Sequence, residues 1–204
     1  AGERRPAILM LPDWFGVCAH SMDMAREVAG ADYVVMLADM FGAGYAEKEK
    51  SFDDLMRISR QVRGDLDFLL GCGGAAVKAL TGEADKLGLI DTARKGAIGY
   101  CIGGGIALEQ ARAGADFKGL VVFHSTLPNP VEPKAKPNFK GRVLALHGSA
   151  DTVTPKEQMD ALQAELSEAG VDWQVMMFGH ADHGFCDLGS AGPPMRYDEK
   201  LCMR

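Results

Sequence analysis

No apolar run in this chain approaches the ~20 residues that cross a bilayer, so no membrane span is expected. No block of lysine or arginine stands out, and the formal charge is −6. Without a basic footprint, neither nucleic acid nor an anionic membrane is an expected partner. CxxC pairs are absent too, which removes the commonest zinc signature. The five cysteines, Cys18, Cys72, Cys101, Cys186 and Cys202, are odd in number and irregularly spaced. That pattern fits reduced thiols in a cytoplasmic protein better than a disulfide framework. Arg4 and Arg5 precede the apolar run Ala7–Leu11, but Pro12 and Asp13 stop it short of signal-peptide length, so no targeting segment is expected. Internal repeats and low-complexity tracts are also missing.

What is present reads as one globular domain, 1–204. Hydrophobic residues at 47% and charged residues at 25% are ordinary globular values, and a chain of this length buries about 70% of its unfolded surface. The expected partner is a small molecule, and the expected state a monomer or homodimer. Short apolar runs alternate with helical patterns, which argues for an α/β fold with a mostly parallel sheet and helices on both faces. Six strands are predicted, at Ala7–Leu11, Tyr33–Leu37, Gly96–Tyr100, Gly119–Phe123, Arg142–His147 and Trp173–Phe178. One helix is predicted from Thr154-Pro155-Lys156-Glu157, with threonine as cap and glutamate closing a capping box. A longer one follows Ser51, carries Leu55, Ile58, Val62, Leu66 and Leu69 on one face, and breaks or kinks at Gly71–Gly74. Asn129–Phe139, rich in proline and charge, reads as a surface connection.

Gly99-Tyr100-Cys101-Ile102-Gly103 has the G-x-nucleophile-x-G form of a strand that turns sharply into a helix. Glycines two before and two after remove side chains that would collide at the crossing. The helix start, with its unpaired N–H groups and dipole, favours a thiolate at Cys101. The Ile102 N–H is then one oxyanion donor. The competing reading makes Cys101 a small packing residue, as most free cysteines are. A dinucleotide site fits less well, because its fingerprint needs glycine where Cys101 stands. No cofactor is expected.

A nucleophile needs a base and the base an orienting carboxylate. Asp151, in LHGSAD, and His183, in GHADHGF, each follow a predicted strand, and loops beyond the carboxyl ends of parallel strands share one edge. His180 is the rival base and Asp182 the rival orienter. A metal site on the HxDH cluster lacks a third ligand at helical spacing, so none is expected. His124 and His147 end strands and read as buried, hydrogen-bonded residues, and His20 borders a helix start.

IGYCIGG, the following ALEQARAGADFKGLVVFH, LHGSAD and HGF, in that order, resemble the dienelactone hydrolase family, a cysteine-using branch of the α/β-hydrolase fold. The resemblance covers almost the whole chain, which is short at both ends relative to the family. It implies a Cys101–His183–Asp151 triad that opens a lactone or ester through an acyl-enzyme. It also implies a supporting carboxylate at Asp13, in Asp13-Trp14-Phe15-Gly16 where the family commonly has glutamate, and a second oxyanion donor at the Trp14 N–H. Asp13 has a plainer reading as a strand-end cap. Family members that take the muconate-type lactone tend to carry arginine four residues after the histidine. Here that position is Asp187, which argues against the dienelactone itself unless Arg57 or Arg60 substitutes. Tyr100, Phe41 and Phe185 are candidate pocket residues. Alternatives that keep the fold are a redox-sensing or ligand-binding protein and a thioesterase or acyl transferase.

Overall fold

The computed structural model describes residues 4–126 and 136–203. Most of the connection expected over Asn129–Phe139 lies outside them. The elements run β1 (Arg5–Leu11), α1 (Ala19–Ala29), β2 (Val34–Leu37), α2 (Phe52–Arg63), α3 (Leu66–Lys86), β3 (Ile90–Tyr100) and α4 (Ile102–Arg112). They continue as β4 (Gly119–Phe123), β5 (Arg142–Gly148), α5 (Lys156–Glu168), β6 (Trp173–Phe178), β7 (Ala191–Gly192), β8 (Met195–Arg196) and α6 (Glu199–Cys202). The first six strands form one sheet in the order β2-β1-β3-β4-β5-β6, every pairing parallel. β7 and β8 make a separate antiparallel hairpin.

Successive strand residues point to opposite faces, and the core divides accordingly. Leu9 and Leu11, Ala97, Leu120 and Val122, and Val143 and Ala145 pack on one face with Leu55, Leu80, Ile106 and Met159 of the helices. Met10, Ile98, Tyr100, Phe123 and Leu146 face the other way, against Met24 and Ala25 of α1 and Leu201 of α6. Among the described residues, no helix is long and apolar enough to cross a membrane.

Three local expectations change. Ser51 does cap α2, accepting from the Asp54 N–H at 3.2 Å while Asp54 Oδ2 accepts from the Ser51 N–H at 3.3 Å. The helix stops at Gly64, however, so Leu66 and Leu69 belong to α3. Gly71–Gly74 lies inside α3 rather than breaking it. An added Cβ at Gly73 would overlap the Gln110 side chain. That side chain donates to the Leu69 and Leu70 carbonyls at 3.1 and 3.2 Å, so the glycine serves the approach of α4. At α5 the cap is Pro155 with no side-chain bond. The Thr154 hydroxyl instead donates to the Ser125 carbonyl at 3.0 Å, tying the loop after β5 to the one after β4.

Cys186 and Cys202 are joined in a disulfide, with Cα atoms 5.0 Å apart. This corrects the expectation of five free thiols. Sixteen residues separate the pair in sequence, and only the docking of α6 beside the loop after β6 brings them together. The argument for a reducing compartment rested on that count and falls with it.

The turn from β3 into α4 needs its glycines for space. A Cβ at Gly103 would overlap the Leu11 and Pro12 carbonyl oxygens, which are backbone atoms and cannot swing aside. Gly71, by contrast, has nothing within 4 Å of an added Cβ. Gly103→Ala is therefore expected to cost about 2 kcal/mol or more, lowering Tm by about 4–8 °C. Gly71→Ala is expected to leave Tm unchanged or slightly raised. Thermal melts of the two variants check both.

Candidate active site

The carboxyl ends of β1, β3, β4, β5 and β6 all open on one edge of the sheet, and the residues that follow them meet there. Cys101 occupies the corner between β3 and α4 with φ 50°, a left-handed backbone that costs a non-glycine residue about 1–3 kcal/mol. Hydrogen bonds hold it in place. Its N–H donates to the Phe123 carbonyl at 3.0 Å. Its own carbonyl accepts from Gly104, Gly105 and Thr126 N–H groups at 3.1, 3.3 and 3.1 Å.

The loops after β5 and β6 are sewn to each other. Ser149 N–H donates to the Phe178 carbonyl and Ala150 N–H to the Ala181 carbonyl, each at 2.9 Å. Within the first loop, Asp151 Oδ1 accepts from Val153 and Thr154 N–H groups at 2.9 and 2.8 Å. Its other oxygen is left to His183, whose Nδ1 lies 2.8 Å from Oδ2. His183 Nε2 then lies 3.2 Å from Cys101 Sγ. The hairpin β7–β8 steadies the histidine from behind, through the Arg196 N–H on the His183 carbonyl at 2.9 Å. His180, the rival base, is exposed. Asp182, the rival orienter, pairs with Arg196 at 3.6 Å.

A cleft of about 320 Å³ opens over the thiol and imidazole, walled by Trp14, Met56, Arg60, Arg63, Thr126, Val153, Pro194 and Met195. The candidate pocket aromatics lie elsewhere. Tyr100 is stacked on Phe123 at 4.8 Å and Phe185 is fully buried against His124 and Phe178. Phe41 stacks on Tyr45 at 4.4 Å. None of the three lines this cleft. Aromatic residues near strand ends fill the core before they line clefts. Of the two arginines suggested as a substitute clamp, Arg57 pairs with Asp54 at 3.3 Å on the surface, while Arg60 reaches the cleft. Arg63, also on the wall, was not singled out from sequence.

Behind the thiol lies a buried polar group that the sequence only hinted at. Asp13 accepts from the Phe15 N–H at 2.7 Å, as a strand-end cap would, and also faces the Asp187 carboxyl. Asp187 is fully buried, 3.4 Å from His124 Nε2. Position 187 is therefore an internal acid and not a charge presented to substrate. Burial pushes both carboxyls up, and the Asp13 charge beside it pushes Asp187 further. His147 does make its expected bond, Nε2 to the Thr154 carbonyl at 2.9 Å, whereas neither ring nitrogen of His124 has a hydrogen-bond partner. His20, in the first turn of α1, reaches the Cys186 carbonyl at 2.9 Å.

Comparison with known proteins fits this geometry. A sequence model of the dienelactone hydrolase family matches residues 1–201. The chain belongs to that family. A Methylorubrum extorquens protein provisionally named carboxymethylenebutenolidase is 30% identical over 196 residues, 88% of this chain and 63% of the relative. The chain thus spans less than two thirds of that relative's length. A Synechocystis protein of the same provisional name is 26% identical over 201 residues, 89% of this chain and 76% of its own. A crystal structure of a dienelactone hydrolase-like promiscuous phosphotriesterase from metagenomic libraries superposes with TM-score 0.88 at 30% identity, covering 100% of this chain and 83% of that one. The mostly parallel sheet expected from the strand pattern, and the α/β-hydrolase type implied by the resemblance, match the fold of these dienelactone hydrolases.

The helix-start argument for a thiolate at Cys101 is overruled. Burial first, then the Asp187 and Asp13 carboxylates, push the thiol well above its ordinary value, and the Ile102 N–H pulls only part of the way back. In the resting protein at pH 7, iodoacetamide is expected to alkylate half-buried Cys18 about tenfold or more faster than Cys101, the Cys101 rate climbing with pH. Mass mapping of timed quenches measures this.

The acid pair has a consequence for stability. Its raised folded pKa values mean that, above about pH 4, the native chain holds a proton that the unfolded chain has released. Stability therefore falls as pH rises from there toward the folded values. Asp187→Asn removes one titrating partner and leaves an amide that can donate to Asp13. It is expected to gain about 1 kcal/mol, or about 2–4 °C in Tm, at neutral pH, with the gain fading as pH falls toward about 4. Melting curves of both proteins across that range read the effect.

Proposed function

We propose that this chain hydrolyses small esters or lactones by nucleophilic catalysis, with Cys101 as nucleophile, His183 as base and Asp151 as its orienter. One observation carries the reading: a single imidazole with Asp151 Oδ2 at 2.8 Å on one nitrogen and Cys101 Sγ at 3.2 Å on the other. With its Nδ1–H donating a hydrogen bond to Asp151, Nε2 presents a lone pair to the thiol, as a general base must. Cys101 attacks the carbonyl carbon and His183 takes the thiol proton. The Ile102 and Trp14 N–H groups receive the charge that develops on oxygen. Collapse of that intermediate expels the alcohol, protonated by His183, and leaves a thioester. Water activated by the same ring then releases the acid.

Substrate size follows from the cleft. About 320 Å³ over the sulfur suits a compact ester or a five- or six-membered lactone, and Arg60 and Arg63 on its wall favour one that carries a carboxylate. A neighbouring hollow of about 540 Å³ shares Trp14, Pro194 and Met195 with it and adds Phe15, Phe52 and Leu55, room for an apolar leaving group. The likeness to the phosphotriesterase supports phosphotriesters as a second class to assay, since a thiol, a base and oxyanion donors serve attack at phosphorus in the same geometry.

Hydrolysis of short p-nitrophenyl esters and simple lactones tests the proposal. Cys101→Ala and His183→Ala are each expected to lower kcat/KM about 10³-fold or more, and Asp151→Asn about 10²-fold or more. Rates equal to the parent in the first two variants would remove the assignment.

A further inference from the structure

Cys101 and His183 share their pocket with a third soft ligand. The thiol sulfur of Cys101 and one ring nitrogen each from His124 and His183 all lie within 4.8 Å of one another, and all three residues are buried. His124, at the end of β4, is fully buried with left-handed φ 36° and has no hydrogen bond at either ring nitrogen. The Asp187 carboxyl lies 3.4 Å from its Nε2 without forming a hydrogen bond, and a buried imidazole left without one is costly.

We propose that Cys101, His124 and His183 form a zinc site, and that zinc held there reversibly blocks the thiol. Zinc takes thiolate sulfur at ~2.3 Å and imidazole nitrogen at ~2.0–2.1 Å, so ligand atoms in a tetrahedral site stand on the order of 3.5 Å apart. The observed 3.2 Å between Cys101 Sγ and His183 Nε2 is a few tenths short of that. His183 is already oriented as zinc-binding histidines are, with its far nitrogen on a carboxylate, Asp151 Oδ2. On binding, the Cys101 S–H bond breaks, a Zn–S bond forms and the proton leaves to solvent, with no change of oxidation state. The cleft above Cys101 and His183 is the route of entry.

The site does not depend on turnover, so binding and hydrolysis are read separately. Metal-stripped protein is titrated with zinc against a chromogenic chelator, and with cobalt to follow thiolate-to-metal absorption in the near ultraviolet. One ion per chain is expected, with loss of ester hydrolysis that a chelator restores and protection of Cys101 from alkylation. His124→Gln, which keeps bulk without the same ligand, should weaken zinc more than about tenfold while hydrolysis in chelator persists. Cys101→Ala, a small substitution in a buried site, should abolish the cobalt–thiolate absorption, and melting curves verify that both variants fold. Absence of stoichiometric zinc, or affinity unchanged in folded His124→Gln or Cys101→Ala, overturns the inference. Ester hydrolysis in chelator with no zinc bound would sink this site and leave the hydrolase standing. Zinc bound through Cys101 with no hydrolysis would do the reverse.

Discussion

The carbonyl oxygen of Cys101, with three backbone N–H groups converging on it, is the point from which the rest of the site is hung. Gly104 and Gly105 reach it from the first turn of α4 and Thr126 from the loop after β4, and the Cys101 N–H returns a bond to Phe123. Four hydrogen bonds thereby hold a residue in a conformation its own backbone disfavours. The glycines at 99, 103 and 104 follow from the same constraint. A Cβ at Gly99 would overlap Gly103 and Gly104, and one at Gly104 would crowd Ser125. With the corner fixed, the loops after β5 and β6 have only to deliver an imidazole to the sulfur.

That delivery is cooperative in a structural sense. Asp151 spends one carboxylate oxygen on its own loop and the other on His183, so the acid cannot turn without breaking bonds at both ends. Gly148 lets the β5 loop lie directly on the Ala181 backbone, which a side chain at that position would prevent. The spacing between loops is thus set by main-chain contact, which does not relax as a side chain does. A shift of 1 Å there would open the bond from His183 Nε2 to Cys101 Sγ beyond useful length.

How much of this is legible in the sequence depends on whether the signal is local. The six strands were readable because apolar runs of five or six residues are bounded by turn-forming and polar residues, and the corner at Cys101 because its glycines have fixed offsets. Asp151 and His183 could be named because parallel topology puts the following loops on one edge. What failed to show was set by tertiary neighbours. Gly71–Gly74 reads as a helix break, yet it is spacing for Gln110. Cys186 and Cys202 look unrelated until α6 docks. Tyr100 and Phe185 sit at the right places in the chain to line a cleft, but they fill the core beneath it. The thiol's environment was misjudged for the same reason: a helix start is visible in sequence, while burial beside Asp13 and Asp187 is not. His124 gave only the signal of a histidine at a strand end.

The acid cluster and the proposed chemistry constrain each other. With carboxylates behind it and burial around it, the Cys101 thiol stays protonated at rest, which also makes it a poor target for oxidants, since the thiolate is the reactive form. A resting thiol of this kind cannot attack unless its proton leaves during the reaction, and His183 Nε2 stands 3.2 Å from the sulfur to take it. Negative charge near the sulfur disfavours the thiolate but favours an imidazolium beside it, so the same carboxylates that silence the free thiol stabilise the ion pair formed as the carbonyl is attacked. In the proposed reaction charge then passes from sulfur to the carbonyl oxygen and its backbone N–H donors. A pocket that opposes ionisation before substrate arrives and tolerates it afterwards gives its stabilisation to the transition state and not to the ground state, which is the condition for accelerating the chemical step.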